Sequence, residues 1–430
     1  MIEHNARRRA VAFRSIWATV GVVGLAATLV GCGTEAPESA EGGTEAPESA
    51  EGTTISFWQY YGDTTMPQGV PLYDFIKRYE DSHEGVNVDV RYIPYDDFYR
   101  TVIQSAAAGD APDITLVNSL DTTSLAQAGL IQDLSDRVDE WGEKDAYFPG
   151  IWETTQYDGA TYGIPHLADA YGIYYNKTLL DDAGLTPPKT WDEMEKTAAE
   201  LSVDGRHGLA ASGIEGVEGS TPLIIRTLAE GAEPTELDSA AGATALDSFQ
   251  GMVDSGALSE GFLTWIEDDV ASQFGTGEAA MMLNSATYIS ILREQYPDLD
   301  WSVSLLPEGS ESRTTWLAAE NLTISASSEY GDEAWDLITF MQDPDELAVY
   351  LPARNKLPAR NDVPDETGDP VRATFSEQLE DSWAPTGDMA PVANEVFTLV
   401  QSALQQKLSG GDTDKVLKDV QAKIDEAISG

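Results

Sequence analysis

TISFW, at residues 54–58, is the first of three strand-like segments that decide the fold class; VNVDVRYI at 86–93 and DITLV at 113–117 follow it. All three are rich in β-branched and aromatic residues, which favour strands. The segments 73–83 and 96–108 between them carry helix signals, with apolar residues at helical spacing in the first and a glycine directly after the second. Strands and helices alternate in this way in α/β proteins with a largely parallel sheet. The sequence therefore predicts an α/β fold after residue 53.

The same kinds of signal continue to the C-terminus without an obvious internal linker. Tyr157-Asp158-Gly159 predicts a hairpin turn, and strands are predicted at 162–165 and 172–175, on either side of a crossover. Thr190 begins a helix as its cap, with Glu193 at the capping-box position. Because the folded part is longer than most single cores, we expect two lobes joined by short crossings. A cleft between such lobes, at the carboxyl ends of their strands, is a natural ligand site.

The N-terminus carries the features of an export signal. Four arginines between positions 7 and 14 precede an uncharged, mostly apolar run at 16–31. This run is shorter than the roughly 20 apolar residues that a transmembrane helix needs. It ends in Leu29-Val30-Gly31-Cys32, which resembles the bacterial lipobox, a motif whose cysteine thiol receives a diacylglyceryl group. We expect residues 1–31 to be a signal peptide and Cys32 to hold the protein at the extracytoplasmic face of the cell membrane; an uncleaved membrane anchor is the alternative.

Low-complexity sequence follows Cys32. TEAPESAEG at 34–42 is repeated at 44–52, and a segment without aromatic or branched apolar residues cannot bury enough surface to fold. Residues 32–53 are therefore predicted to be a flexible acidic tether. Cys32 is the only cysteine, so no disulfide can form within the chain.

The charge and the histidines exclude several classes of partner. The formal net charge is −49, and removing the four arginines and one glutamate of the signal takes it to −52. Such a charge argues against nucleic acid and against an anionic membrane surface as partners. The four histidines show no metal-ligand spacing, so we expect neither a metal nor another cofactor.

Five sequence blocks occur in a fixed order over most of the folded part. They are GDAPDI (109–114) with LAQAGLIQDL (125–134), DGATYGIPH (158–166), YYNK (174–177) with AGL (183–185) and PPKTWDE (187–193), FGTGEAAM (274–281) and LPAR (351–354). This set resembles the family 1 extracellular solute-binding proteins, a sugar-binding group that includes maltose- and trehalose-binding proteins.

The resemblance implies a two-lobed, type II periplasmic-binding-protein-like fold whose cleft closes around a ligand by hinge motion. Its lobes are expected at 54–165 with about 308–355, and at 166–307 with about 356–430. It also implies a monomer that captures a sugar or oligosaccharide and delivers it to the permease subunits of an ABC importer.

The chemistry of a sugar, together with the resemblance, selects the candidate ligand residues. A sugar offers an apolar face to aromatic rings and a rim of hydroxyls that must be hydrogen-bonded when desolvated. The candidates follow predicted strands or lie near the crossings, and they are Trp58, Tyr60, Asn118, His166, Asp169, Tyr171, Asn284, Trp316, Glu320 and Arg354.

Several of these candidates have a second interpretation. Trp58 and His166 are also suited to core packing. Asn118 is suited to capping a helix, and its neighbour Asp121 is predicted to be a cap. Arg354 is equally suited to a bidentate ligand contact and to an interlobe salt bridge.

Glu320 keeps the nature of the cargo open. Many family members carry Gly-Gly-Trp where this chain has Ala318-Ala319-Glu320, and Trp316 is a candidate for the missing aromatic platform. The alternatives are a non-sugar cargo, such as a peptide, a polyamine or an osmolyte, and a secreted glycan-cleaving enzyme. The chain has neither a Gly-x-Ser-x-Gly elbow nor a phosphate-binding Gly-x-x-x-x-Gly-Lys-[Ser/Thr] loop, so we expect a binding protein and no enzyme.

Overall fold

A computed structural model describes residues 52–66, 68–364 and 367–430. The predicted signal peptide, Cys32 and nearly all of the predicted tether lie outside these residues. The first elements, in chain order, are β1 Thr53–Gln59, α1 Val70–Ser82, β2 Val86–Tyr92, α2 Tyr95–Ala108, β3 Ile114–Asn118, α3 Ser119–Gln127, α4 Ser135–Trp141, α5 Pro149–Glu153, β4 Gln156–Tyr157, β5 Ala160–Thr161, β6 Ile164–Asn176, α6 Lys177–Ala183, α7 Trp191–Leu201 and β7 His207–Ala210.

The remaining elements complete the fold. They are α8 Thr221–Ala229, α9 Ala240–Asp254, α10 Glu267–Gly275, β8 Ala279–Ser285, α11 Tyr288–Gln295, β9 Trp301–Ser304, β10 Thr315–Ile324, α12 Gly331–Phe340, α13 Pro344–Arg354, β11 Leu357–Pro358, α14 Pro370–Leu379, β12 Ser382–Trp383, α15 Ala393–Leu408 and α16 Thr413–Ser429. Short 3₁₀ helices lie at Lys144–Ala146, Glu218–Ser220, Pro234–Glu236, Glu260–Thr264 and Gly387–Val392.

One mixed sheet organises the described residues, with the order β2-β1-β3-β10-β6-β8-β7. Outside this path β11 and β9 pair with β6, and β12 pairs with β10. β1 is parallel to its neighbours β2 and β3, and β7 is parallel to β8. The pairs β3–β10, β10–β6 and β6–β8 are antiparallel. We call β2, β1, β3 and β10 the β1 half of the sheet, and β8, β7 and β9 the β8 half; β6 belongs to both. The predicted α/β class is confirmed.

β6 differs from its prediction. Two strands were expected at 162–165 and 172–175, but a single strand runs without a break from Ile164 to Asn176. It pairs with β10 up to Ala170 and with β8 from Tyr171 onward. All but one of its residues are buried, and such a strand does not show the alternation by which half-buried strands are recognised.

Two predictions that depend on interactions between residues close in sequence, a hairpin turn and a helix cap, are confirmed. Asp158 and Gly159 both have positive φ, at 48° and 80°, and form the predicted hairpin turn between β4 and β5. The Thr190 side chain caps α7 by accepting the Glu193 N–H. The Glu193 carboxylate accepts the N–H of Lys189, 2.8 Å away, instead of closing a capping box on Thr190.

Buried apolar residues form separate clusters on the two faces of the sheet. One cluster packs α1, α12 and α13 against the β1 half and continues to α10 and α11 under the β8 half. A second packs α7, α8, α9, α15 and α16 against the other face of the β8 half. A third lies beneath α2 and α3 and contains Trp58, Phe98 and Leu125. The helices thereby cover both faces and leave the ends of the strands open.

β7 and α7 approach each other closely at Gly208. A Cβ atom at Gly208 would lie 1.9 Å from the Ala198 carbonyl oxygen, whereas one at Gly251, in α9, would meet nothing within 4 Å. We expect Gly208→Ala to lower the free energy of unfolding by about 1–3 kcal/mol, because backbone must shift to admit the methyl group. Gly251→Ala should raise it by roughly 0.5–1 kcal/mol through helix propensity. Urea unfolding measures both, and equal stabilities for the two variants would contradict the close approach.

Candidate functional site

The carboxyl ends of three parallel strands meet at one edge of the β1 half. Tyr60 and Tyr61 directly follow β1, Tyr95 begins the helix after β2, and Asn118 ends β3. The ring centroid of Tyr60 lies 5.5 Å from that of Tyr61 and 5.1 Å from that of Tyr95. The Asn118 amide lies 3.5 Å from the Tyr95 hydroxyl. Such an edge is where ligands bind in open α/β sheets.

Glu320 brings a carboxylate to this edge. It lies on β10 directly opposite Asn118, and the described residues offer its carboxylate neither a hydrogen bond nor an ion pair. Although the residue keeps some exposed surface, desolvation of its carboxyl group raises its pKa, against the opposing influence of Lys356 and then Arg354.

The β8 half contributes a second edge. The Tyr171 hydroxyl donates to a carboxylate oxygen of Glu267 over 2.7 Å, and the Asn284 amide donates to the Glu267 carbonyl over 3.1 Å. Glu218 in turn accepts the Glu267 N–H over 2.7 Å. Desolvation, reinforced by the Glu218 carboxylate, raises the pKa of Glu267 to about 8. Tyr171, Asn284, Glu267 and Glu218 therefore form one hydrogen-bonded group in the β8 half.

Asp169 lies where β6 passes from one half to the other. One carboxylate oxygen accepts the backbone N–H groups of Ala170 and Ala286, at 3.0 and 2.9 Å. The other accepts the Thr287 hydroxyl at 2.6 Å and the Lys356 ammonium at 2.8 Å. Asp169 is only 3% exposed, so its hydrogen-bonding capacity is largely used by the protein itself.

Arg354 borders the largest cavity at the site. Its guanidinium lies 3.7 Å from the ring centroid of Tyr61, and it donates to the Gln68 carbonyl. The cavity has a volume of about 610 Å³. Its lining comes from two separate stretches of the fold: Gln68 and 353–355 on one side, and Asp268, Ala271, Ser272, Thr287, Ser290, Ile291 and 294–296 on the other.

A second cavity opens on the other side of the tyrosine pair and has a volume of about 360 Å³. It is lined by Tyr60, Tyr95, Asp96, Phe98, Tyr99, Asp121 and Asn394. The Tyr60 hydroxyl is buried here without a hydrogen-bond partner in the described part of the chain. Tyr60 and Tyr61 therefore stand between two spaces that a ligand can occupy.

Three candidates lie in cores. Trp58 is 7% exposed and packs beneath α2 and α3 with the Arg91 guanidinium 4.5 Å from its ring. His166 is fully buried, its Nδ1 lies 3.1 Å from the Gln342 amide, and burial lowers its pKa to about 3. Trp316 is 5% exposed and packs in the second cluster. The structure thus brings Tyr60, Asn118, Glu320 and Arg354 to the edge of the β1 half. Tyr171 and Asn284 are 6% and 0% exposed and lie within the β8 half, and Trp58, His166, Asp169 and Trp316 are likewise buried.

The sequence interpretation missed some residues at the site. Asn118 and not Asp121 caps α3, since the Asn118 side chain accepts the Leu120 N–H. Asp121 instead accepts the Asn394 amide over 2.9 Å and lines the smaller cavity. Tyr95 was overlooked although it follows a predicted strand, and the rule that pointed to Tyr60 and Asn118 applies to it equally.

Neither a metal centre nor a membrane span is visible in the part of the chain described. Across residues 52–66, 68–364 and 367–430, no three His, Cys, Asp or Glu side chains are grouped to hold a metal ion. Within the same ranges no helix has the length and apolarity to cross a bilayer.

The raised pKa of Glu267 predicts a pH-dependent contribution to stability. Between the ordinary value of 4.5 and about 8, the folded protein holds a proton that the unfolded chain releases, so this group's contribution falls as pH rises through that window. Glu267→Gln keeps an acceptor for Tyr171 but cannot ionise. We expect it to gain stability relative to the unaltered protein from pH 5 to pH 8, by a fraction of ~1.4 kcal/mol per pH unit.

Urea unfolding at four pH values measures this change. The exposed Glu377, on α14, provides the control, because Glu377→Gln should differ from the unaltered protein by a constant amount. A constant difference for Glu267→Gln as well would contradict the assigned protonation.

Known proteins give a consistent comparison. The family model described as bacterial extracellular solute-binding protein matches residues 63–348. A putative binding protein of Brucella abortus (strain 2308) is 27% identical over 375 residues, which are 83% of this chain and 89% of that protein.

Two solved structures share the fold. A solute-binding protein from Thermotoga lettingae TMO, bound with alpha-D-tagatose, has a TM-score of 0.76 at 21% identity over 87% of this chain and 100% of its own. The GacH receptor of Streptomyces glaucescens, solved unliganded and with acarbose, has a TM-score of 0.76 at 21% identity over 88% and 99%. These likenesses confirm the predicted two-lobed binding-protein fold, and the chain belongs to the bacterial extracellular solute-binding protein family.

Proposed function

We propose that this protein captures a sugar or oligosaccharide outside the cell and delivers it to the membrane permease of an ABC importer. The observation that carries the proposal is the group of polar and aromatic side chains at the carboxyl ends of β1, β2 and β3, beside two cavities of which Arg354 lines the larger and Tyr60 the smaller. Family membership supports a binding role without catalysis. The relatives described with tagatose and with acarbose support a carbohydrate cargo.

The direct contacts are proposed to come from Tyr60, Asn118, Glu320 and Arg354, with Tyr171 and Asn284 held behind them by their hydrogen bonds to Glu267. Aromatic rings cover the apolar face of a sugar, and carboxylates, amides and the guanidinium bind its hydroxyls. Trp58, His166, Asp169 and Trp316 act from behind by holding these side chains and the strands in place.

Ligand capture is proposed to proceed by hinge closure. The lobes are those inferred from the sequence, 54–165 with about 308–355 and 166–307 with about 356–430. With these bounds the chain crosses between the lobes within β6, near 307–308 and near 355–356, and the exchange of partners along β6 at residues 170–171 supports a hinge close to the first crossing. A ligand that contacts both lobes favours the closed form by its differential affinity, and the closed monomer then docks on the permease.

A sugar screen tests this function. Thermal unfolding of the purified full-length chain with a panel of mono- and oligosaccharides should show one sugar class that raises the melting temperature by mass action. Arg354→Ala should weaken binding of that sugar at least about tenfold, since the guanidinium borders the larger cavity. Arg137→Ala is the matched control, because Arg137 forms an ion pair with the exposed Asp332 away from the cleft. A panel in which no sugar shifts the melting temperature would sink the proposal.

We further propose that the protein is anchored through a lipid on Cys32. Two acyl chains give firm membrane attachment, because each buried CH₂ contributes about 0.8 kcal/mol. We expect Cys32→Ser to move the protein from the membrane fraction to the medium without changing ligand affinity. Fractionation and immunoblotting measure this, with the lysine-to-arginine substitution Lys418→Arg as a control that should remain membrane-bound. Retention of Cys32→Ser in the membrane would favour an uncleaved anchor.

A further inference from the structure

The smaller cavity has an unusual combination of chemical groups. Its 360 Å³ are lined by four aromatic rings, from Tyr60, Tyr95, Phe98 and Tyr99, and by two carboxylates, from Asp96 and Asp121. Among the described residues that line it there is no lysine and no arginine. Asn394, from α15, completes the wall with a neutral amide.

Within the described residues the two carboxylates that line this cavity form no ion pair, and Glu320, outside the lining, is influenced by Lys356 and Arg354, which lower its pKa against the desolvation that raises it. Asp121 accepts one side-chain hydrogen bond, from the Asn394 amide, and desolvation raises its pKa to about 6. Glu320 has no hydrogen-bond partner in the described ranges, and the charges of both Glu320 and Asp121 act on the hydroxyls of Tyr60 and Tyr95. A positive charge placed beside these desolvated carboxylates stabilises their ionised forms.

The aromatic rings are arranged in a way that suits a cation. The rings of Tyr60 and Tyr95 are 5.1 Å apart at 73°, and those of Tyr60 and Phe98 are 5.0 Å apart at 76°, so neighbouring rings stand almost at right angles. Tyr95 is 58% exposed, which leaves its ring accessible to a ligand. Aromatic faces attract ammonium groups, and the attraction grows when water is excluded.

We propose that this cavity receives an ammonium group of the ligand, with Asp121 and Glu320 as its counter-charges and Tyr60 and Tyr95 as its aromatic wall. The inference rests on the proposed function and narrows its cargo to a small polar molecule that carries an amino or quaternary ammonium group. A neutral sugar donates hydrogen bonds to the carboxylates but supplies no positive charge to them.

Paired probes that differ in charge test the proposal. Calorimetric titrations of the full-length chain at pH 7 compare D-glucosamine with N-acetyl-D-glucosamine, and choline with 3,3-dimethylbutan-1-ol. We expect the charged member of one pair to bind at least about tenfold more tightly than its neutral partner. The pair that shows this preference distinguishes an amino sugar from a quaternary ammonium ligand.

Isosteric variants locate the effect. Asp121→Asn and Glu320→Gln should each reduce the preference for the charged probe by about tenfold. Asp110→Asn is the matched control, because Asp110 is exposed shortly after α2 and lies outside the cavity lining. This variant should keep the preference of the unaltered protein for the charged probe. If Glu320→Gln does not fold, the ammonium subsite is judged from the Asp121→Asn variant and from the preference of the unaltered protein for the charged probe.

Each remaining outcome overturns the proposal. Equal affinity within both pairs, or tighter binding of the neutral members, excludes an ammonium subsite, while binding of N-acetyl-D-glucosamine would leave the proposed sugar-binding function standing. Absence of binding by all four probes also overturns the ammonium subsite. The separate sugar panel then decides whether the broader function fails with it.

Discussion

The centre of the described sheet is held by the ion pair between Asp169 and Lys356, whose side chains are 4% and 15% exposed. It lies at the point where β6 exchanges one partner strand for another, and it joins that point to the segments after β8 and after α13. A buried charge without partners would cost several kcal/mol. Here the Asp169 carboxylate is met by two backbone N–H groups, a hydroxyl and an ammonium, so a long strand can carry a charge through the interior.

The carboxylates at the cleft, unlike Asp169, lack an ion-pair partner among the described residues. Desolvation raises the pKa of Glu320 and of Asp121, neither of which forms an ion pair within the described residues, and burial together with Glu218 raises the pKa of Glu267 to about 8. Groups left short of partners in an otherwise well-paired structure are typical of functional sites. The contrast with Asp169 therefore separates the residues that support the fold from those available to a ligand.

Sequence reasoning found the parts of the fold whose causes are local. β1, β2 and β3 were predicted because β-branched segments lie between turn residues, and α7 because Thr190 caps it. α8 was not predicted, and all nine of its residues are buried. At the site, Tyr60 and Asn118 were predicted from their positions after strands. The hydrogen-bond partners of Asp169 and Asp121 could not be predicted, since Lys356 and Asn394 are 187 and 273 residues away along the chain.

The continuity of β6 also restricts how this protein can vary in length. Side chains alternate between faces along a strand, so deletion or insertion of one residue turns every later side chain to the opposite face. At residues 170–171 of β6 such a change would leave the pairing with β10 intact and invert the residues that pair with β8, Tyr171 among them. Between Ile164 and Asn176 this chain therefore accepts substitutions more readily than single-residue insertions or deletions.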